Sequence, residues 1–409
     1  MDFLFEMRYT ASMKIFFGLL LIIFLAFSGY HLTFRGFRLP VFARQFYLTG
    51  TEFLFLGLLL GPQFLNLLDA ETLKGLEPLT GLLLGWIGLL FGFQFEIAKL
   101  RRFPLEFLGA AILEGLITFL FAFLIIYGTL YFFVGLADSM KIIIAITLAA
   151  AAACTAQTGL ALLPSDSLVR HRDTIKLLTY ISSIDGLSAL LIFGLAFLFR
   201  PQFVTTCSWI AQLKWSGSVS LGIIPGFVLL YTLFFTRRRK ESELILVVVG
   251  MAVFTSGTAS VLHFSPLLTN FFVGVCLVNF NKEKDRIFDI LISVEKPVYL
   301  LLLVFLGAGW RLKHLDQILF PAAGYCLCRL LGKFFGGFVV TRLSHDLKDH
   351  PRHLGFGLLE MGGLSLAILL DFQQGFLCDI NCHAISVILV AVICNNFVSS
   401  YFLGRLFKT

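Results

Sequence analysis

Apolar stretches long enough to cross a bilayer recur from Lys14 almost to the C-terminus, and this repetition limits the fold more than any single motif does. A spanning α-helix needs about 20 predominantly apolar residues. Inside hydrocarbon every main-chain N–H and C=O must be satisfied within the protein, which leaves helices and closed barrels as spanning structures. Runs of this length select helices. Composition agrees: 58% of the 409 residues are apolar and only 14% charged, with a mean hydropathy of +0.90, far from the balance of a water-soluble domain.

Dividing the runs at Pro, Gly and charge clusters predicts an all-α polytopic membrane protein of about thirteen transmembrane helices. They begin near residues 13, 44, 76, 105, 139, 172, 216, 241, 264, 293, 317, 352 and 384. Residues 14–30 lack a small-residue cleavage site and read as the first span rather than a signal peptide. The longest connections, around 200–215 and 340–352, are too short for a further domain. The expected organisation is therefore one transmembrane domain over 1–409, with a first inverted repeat at 13–198, a connecting span at 199–240 and a second repeat at 241–407.

The formal charge of +7 raises nucleic acid as a partner, but the basic residues are distributed as membrane topology requires, and no nucleic acid is expected. Of the 32 Lys and Arg, 22 fall on one side of the predicted spans, including Arg101, Arg102 and the run Arg237 to Lys240, and 8 fall on the other. The basic side is cytoplasmic. This puts the C-terminus inside and the N-terminus outside. Most of the eight cysteines, among them Cys154, Cys276, Cys326, Cys328 and Cys394, lie in apolar segments without metal-ligand spacing, so neither a resident metal nor a cofactor is expected. Cys378 and Cys382 sit in a short loop where a disulfide is open.

Two spans are interrupted midway. Span 5 carries Ala153-Cys154-Thr155-Ala156-Gln157-Thr158-Gly159, and span 12 carries Glu360-Met361-Gly362-Gly363-Leu364-Ser365. They stand seven spans apart and run in opposite directions. Inverted repeats with broken helices crossing at the midplane give this pattern, and the freed backbone groups and half-helix ends there form an ion site. Close helix packing through small residues is the other reading of either stretch alone.

A charged side chain at a helix centre costs roughly 2.5–3.5 kcal/mol on insertion scales, so intramembrane charges are functional candidates. Asp185 lies about 20 Å into span 6, close to mid-depth. Arg329 and Lys333 are one turn apart on span 11 and share a face. Asp185 is the expected partner of Lys333, because an unpaired buried charge is costly; snorkelling to an interface is the alternative. Glu114 in span 4 is open between a pathway and a structural role, and Glu360 is a candidate partner of Arg329. His345, His350 and His353 cluster in one cytoplasmic loop and are candidate pH-responsive groups.

An ordered set of motifs resembles the monovalent cation/proton antiporter superfamily, especially the branch of bacterial potassium-efflux and sodium/proton exchangers. These are Leu39-Pro40 followed by Leu56 through Gly61-Pro62; Phe91 to Arg102; Ser265-Pro266 through Asn270-Phe271-Phe272-Val273-Gly274; and Phe305 to Gly309. The resemblance covers about residues 38 to 405. It implies that Asp185 binds cation and proton alternately and that Lys333 is its charge partner. It also implies that Thr155 and Ala156 belong to the ion site, together with broken-helix carbonyls. Ser182, one turn before Asp185, is a further candidate ligand. Two positions depart from the family pattern: Ile184 replaces a polar or acidic residue before Asp185, and Gly363-Leu364 replaces a Gly-Glu pair.

The expected function is secondary active exchange of Na⁺ or K⁺ for protons by alternating access. A mobile core of spans 4 to 6 and 11 to 13 would work against a scaffold that also makes a homodimer in a bacterial inner membrane. A transporter of organic anions on a related inverted-repeat fold, using Lys333 and Arg329, is the rival reading. A non-transporting membrane protein is a third. No arrangement in the sequence supports enzymatic chemistry.

Overall fold

The computed structural model describes residues 50–133, 135–156, 171–196, 240–262, 264–281, 283–310, 315–343, 347, 351, 353–375 and 379–406, with isolated positions at 14, 16–18, 20, 24, 222 and 226. Among the described residues the regular structure is helical throughout. In chain order the helices are α1 (Thr51–Leu60), α2 (Ala70–Gly75), α3 (Glu77–Phe93), α4 (Ile97–Leu100), α5 (Leu105–Phe133), α6 (Asp138–Ala153) and α7 (Arg172–Ala196). There follow α8 (Glu241–Val261), α9 (Pro266–Phe280), α10 (Lys284–Ala308), α11 (Leu315–Leu343), a 3₁₀ helix (Leu354–Leu358), α12 (Gly363–Gly375) and α13 (Asp379–Leu406). Six of them are long and apolar enough to cross a membrane, and α1, α3 and α9 are shorter apolar helices.

Local chemistry sets several of these boundaries. Ser265 caps α9 by accepting the Leu268 N–H at 2.9 Å, with Pro266 at the first helical position where its missing N–H costs nothing. Asp69 caps α2 through the Thr72 N–H at 2.8 Å. One predicted start is corrected: the helix expected from 293 begins at Lys284. Its first turns carry Lys284, Asp285, Arg286 and Asp289, which depress hydropathy without opposing helix formation. Predicted spans 1 and 7, apart from isolated positions, and Cys378 lie outside the described residues, whereas Cys382, expected in a short loop, lies within helix α13.

The chain divides into two compact units, Met1–Phe93 with Val219–Arg311 and Gln94–Ser218 with Leu312–Thr409. Each takes one part from each predicted repeat. The second has the membership expected of spans 4 to 6 and 11 to 13.

In the first unit α3 packs along α9, and α1 along α10, through glycines that let backbones touch. A side chain at Gly88 would collide with the Leu267 carbonyl, and one at Gly57 with that of Val304. Gly85 leaves room for a buried cluster: Asn270 Nδ2 donates to Ser256 Oγ at 3.0 Å and to the Pro266 carbonyl at 2.9 Å, while Thr255 donates to Asn270 Oδ1.

In the second unit α11 packs against α5, α13 and the 3₁₀ helix. The residues around Lys333 are held closely. Gly336 lies against Glu114, where a Cβ would stand 3.2 Å from the Glu114 side chain, and Gly337 lies against Gly355. The second predicted interruption is present, residues 359–362 separating the 3₁₀ helix from α12; at the first, α6 stops at Ala153 with Cys154 extended. Residues 157–159 of the first lie outside the described residues.

Candidate ion site at the crossing of the broken helices

Every group of the site belongs to the second unit. Asp185, near the middle of α7, and Lys333 and Arg329 on α11 are fully buried, as is Glu114 on α5. Lys333 Nζ lies 2.8 Å from Asp185 Oδ2, 3.0 Å from Glu114 Oε2 and 2.9 Å from the Ala153 carbonyl. An ammonium has three N–H donors, and all three are used.

The two carboxylates differ in what remains open on them. Glu114 Oε1 accepts the Thr118 hydroxyl at 3.0 Å, so both its oxygens are occupied. Asp185 Oδ2 lies within hydrogen-bond distance of Thr155 Oγ1 at 3.0 Å and accepts from Lys333, but Oδ1 is buried without a partner. Beside Oδ1 stands Gly115, where a Cβ would lie 3.1 Å away. An acceptor oxygen left open in a buried, charged cluster is suited to a cation or a proton.

Arg329 holds the interruptions themselves. Its Nη2 lies 2.8 Å from the Cys154 carbonyl, 3.1 Å from that of Glu360 and 3.3 Å from those of Leu358 and Leu359; Nε reaches Leu359 at 3.4 Å. Ending a helix inside a membrane orphans carbonyls that water would otherwise satisfy. The guanidinium fork supplies several donors from one plane, and with Lys333 it places positive charge at the negative end of α6. The breaks also touch directly: the Ala156 N–H donates to the Glu360 carbonyl at 2.9 Å, and a Cβ on Gly362 would stand 2.6 Å from that of Ala156. Asn396 on α13 accepts the Met361 N–H at 3.1 Å.

The structure thus brings Asp185, Lys333, Thr155 and Glu114 into one cluster, with Ala156 joined through its main chain. Arg329 meets Glu360 through the main-chain carbonyl. Ser182 turns its hydroxyl to the Thr179 carbonyl at 2.9 Å, one turn back on its own helix. Ile184 is buried as an apolar neighbour. His353 is exposed and stacks on Phe334 and Phe356, with ring centroids 5.9 Å away in each case; His345 and His350 lie outside the described residues. Sequence reasoning missed Thr118, Asn396 and the individual carbonyls. Thr118 was findable, four residues after Glu114 and so on the same helix face. Among the described residues no group of His, Cys, Asp and Glu could hold a resident metal ion.

A family model described as "Sodium/hydrogen exchanger, transmembrane" matches residues 22–409. Comparison with curated protein sequences returns no match. In three dimensions the chain is similar to the structure of the sodium proton antiporter MjNhaP1 from Methanocaldococcus jannaschii at pH 8. The TM-score is 0.62 at 18% sequence identity, covering 100% of this chain and 99% of that one; at this identity the likeness is one of fold. The family match over nearly the whole length, on a helical fold similar to that antiporter structure, leads to one conclusion: the chain belongs to the sodium/hydrogen exchanger family and is an integral membrane cation/proton antiporter.

Proposed function

We propose that Asp185 is the residue on which cation and proton compete. The observation that carries this reading is the open Oδ1 of a fully buried carboxylate whose other oxygen is held by Lys333 and Thr155. In one state the cation takes Asp185, with Thr155 and carbonyls from the broken helices as further oxygen ligands. In the other a proton takes it and the cation leaves. Carboxylate, hydroxyl and carbonyl oxygens suit a hard monovalent cation. The exchanged ion is Na⁺ or K⁺, and the sodium named in the family description and in the structural relative supports Na⁺.

Alternating access follows if the second unit, which carries every group of the site, moves while the first serves as a scaffold and homodimer surface. The Lys and Arg distribution supports an inner-membrane orientation with the N-terminus outside and the C-terminus cytoplasmic.

The test is Asp185→Asn in everted vesicles, with proton movement recorded on addition of Li⁺, Na⁺ and K⁺. Asparagine keeps the size and removes charge and titration, so exchange disappears while insertion is retained. Exchange persisting in a properly inserted variant ends this reading.

A further inference from the structure

We propose that Glu114 is the standing counter-ion of Lys333, a positioning residue that lets Lys333 stay charged while Asp185 takes up a cation or a proton, and so fixes exchange at one for one. The inference rests on the reading of Asp185 above and adds to it the role of a second carboxylate.

The asymmetry of the two acids assigns the roles. Glu114 is closed on both oxygens, by Thr118 at 3.0 Å and Lys333 at 3.0 Å, and is fully buried. It is also boxed in from α11, because Gly336 lies against its side chain and main chain and Gly332 against Thr118. Asp185 has one oxygen in use and one open. The more open acid exchanges its partner, and the closed one holds what it has.

Charge accounting then separates two mechanisms. With Asp185 as the sole partner of Lys333, a cation arriving at Asp185 would leave an ammonium buried and unpaired, an arrangement costing several kcal/mol unless the proton leaves. The protein would then carry two protons for each cation. With Glu114 beside it at 3.0 Å, Lys333 keeps an anionic partner and its proton throughout. Asp185, Glu114 and Lys333 sum to one negative charge before loading and to zero whether a cation or a proton is bound. The loaded forms crossing the membrane in the two directions carry the same charge. Arg329, the other cation nearby, is committed to carbonyls of the interruptions and does not change this sum. Ile184 fits the same picture, since the second acid comes from α5 instead of from the position before Asp185.

The experiment uses the full chain in proteoliposomes, with Na⁺ or K⁺ gradients at clamped membrane potentials, and reads the cation gradient at which net exchange stops. For the wild type this null gradient is expected to stay the same at every potential. For Glu114→Gln it is expected to shift about 50-fold per 100 mV, because one net elementary charge moving through 100 mV corresponds to about 2.3 kcal/mol. Glu114→Gln combined with Lys333→Gln removes both partners and should return the null gradient to independence of potential. A potential-dependent wild type overturns the inference, as does an active Glu114→Gln that stays insensitive. If Glu114→Gln inserts but is inactive, recovery of electroneutral exchange in the double variant supports the inference, and failure to recover overturns it. Asp185→Asn run in parallel separates the two levels. Exchange surviving there defeats the reading of the site, whereas its loss beside a potential-sensitive wild type defeats only the role of Glu114.

Discussion

Two buried polar clusters, one in each unit, show opposite uses of polarity inside a membrane protein. Around Asn270 the groups are neutral, and the amide is bonded at both ends by Thr255, Ser256 and the Pro266 carbonyl. Around Lys333 they are charged, α6 ends beside the break at 359–362, and Asp185 Oδ1 and Arg329 Nη1 have no hydrogen-bond partner. The first cluster locks helices whose backbones already touch at glycines. The second is stable only as a set of charges, and it retains an open position. A neutral network bonded at both ends fixes its helices, while a charged network with an unpartnered buried acceptor is suited to a cation or a proton.

This contrast can be broken by experiment, beginning with the largest effect after loss of exchange in Asp185→Asn. Arg329→Gln should lower stability by about 3 kcal/mol, since several carbonyls lose their charged donor at once. Thermal melting in detergent measures it. Melting near that of the wild type would mean that the interruptions do not depend on the guanidinium. Asn270→Leu comes next, at about 2 kcal/mol, because it removes the amide donor from Ser256 Oγ and the Pro266 carbonyl, while the Thr255 hydroxyl falls back on the Met251 carbonyl at 2.8 Å. The comparison requires that its null gradient and cation selectivity match those of the wild type. A changed selectivity would show the first unit to be part of the ion site.

Asp69→Ala should have the smallest effect, about 1 kcal/mol for loss of a helix cap. Hydrogen bonds from the Thr72 hydroxyl and main-chain N–H hold the Asp69 carboxyl below its ordinary value. A group lowered in the folded state contributes fully above its unfolded value and loses that contribution as pH falls through the folded one. The difference in melting between Asp69→Ala and the wild type should therefore be largest at neutral pH and vanish in acid. A difference that persists in acid would assign it to packing.

Much of this was readable before any coordinates, for identifiable reasons. Helix starts at 105, 172 and 241 follow from apolar runs divided at Pro and charge clusters, and Lys333 with Asp185 follows from the cost of burying either unpaired. What could not be read depends on rotation and on the main chain. Whether Glu114 faces Lys333 is decided by how α5 turns against α11, which Gly332 and Gly336 permit but do not announce. The carbonyls taken by Arg329 are chemically identical to every other carbonyl in the chain, and only the crossing selects them. Ser182 occupies a suitable position, yet its hydroxyl has an acceptor one turn behind it, a competition common for serine within helices.

The sequence distance between Lys333 and its acids has a consequence for biosynthesis. Lys333 follows Glu114 by 219 residues and Asp185 by 148. At roughly 5–20 residues per second, the ribosome needs about 7–30 s after making Asp185 before it makes the lysine. During that interval the nascent chain holds two membrane acids whose cation has not been synthesised, so they must wait protonated, hydrated or outside the hydrocarbon. A chain interrupted between residues 196 and 315 would keep both acids in the membrane without that cation.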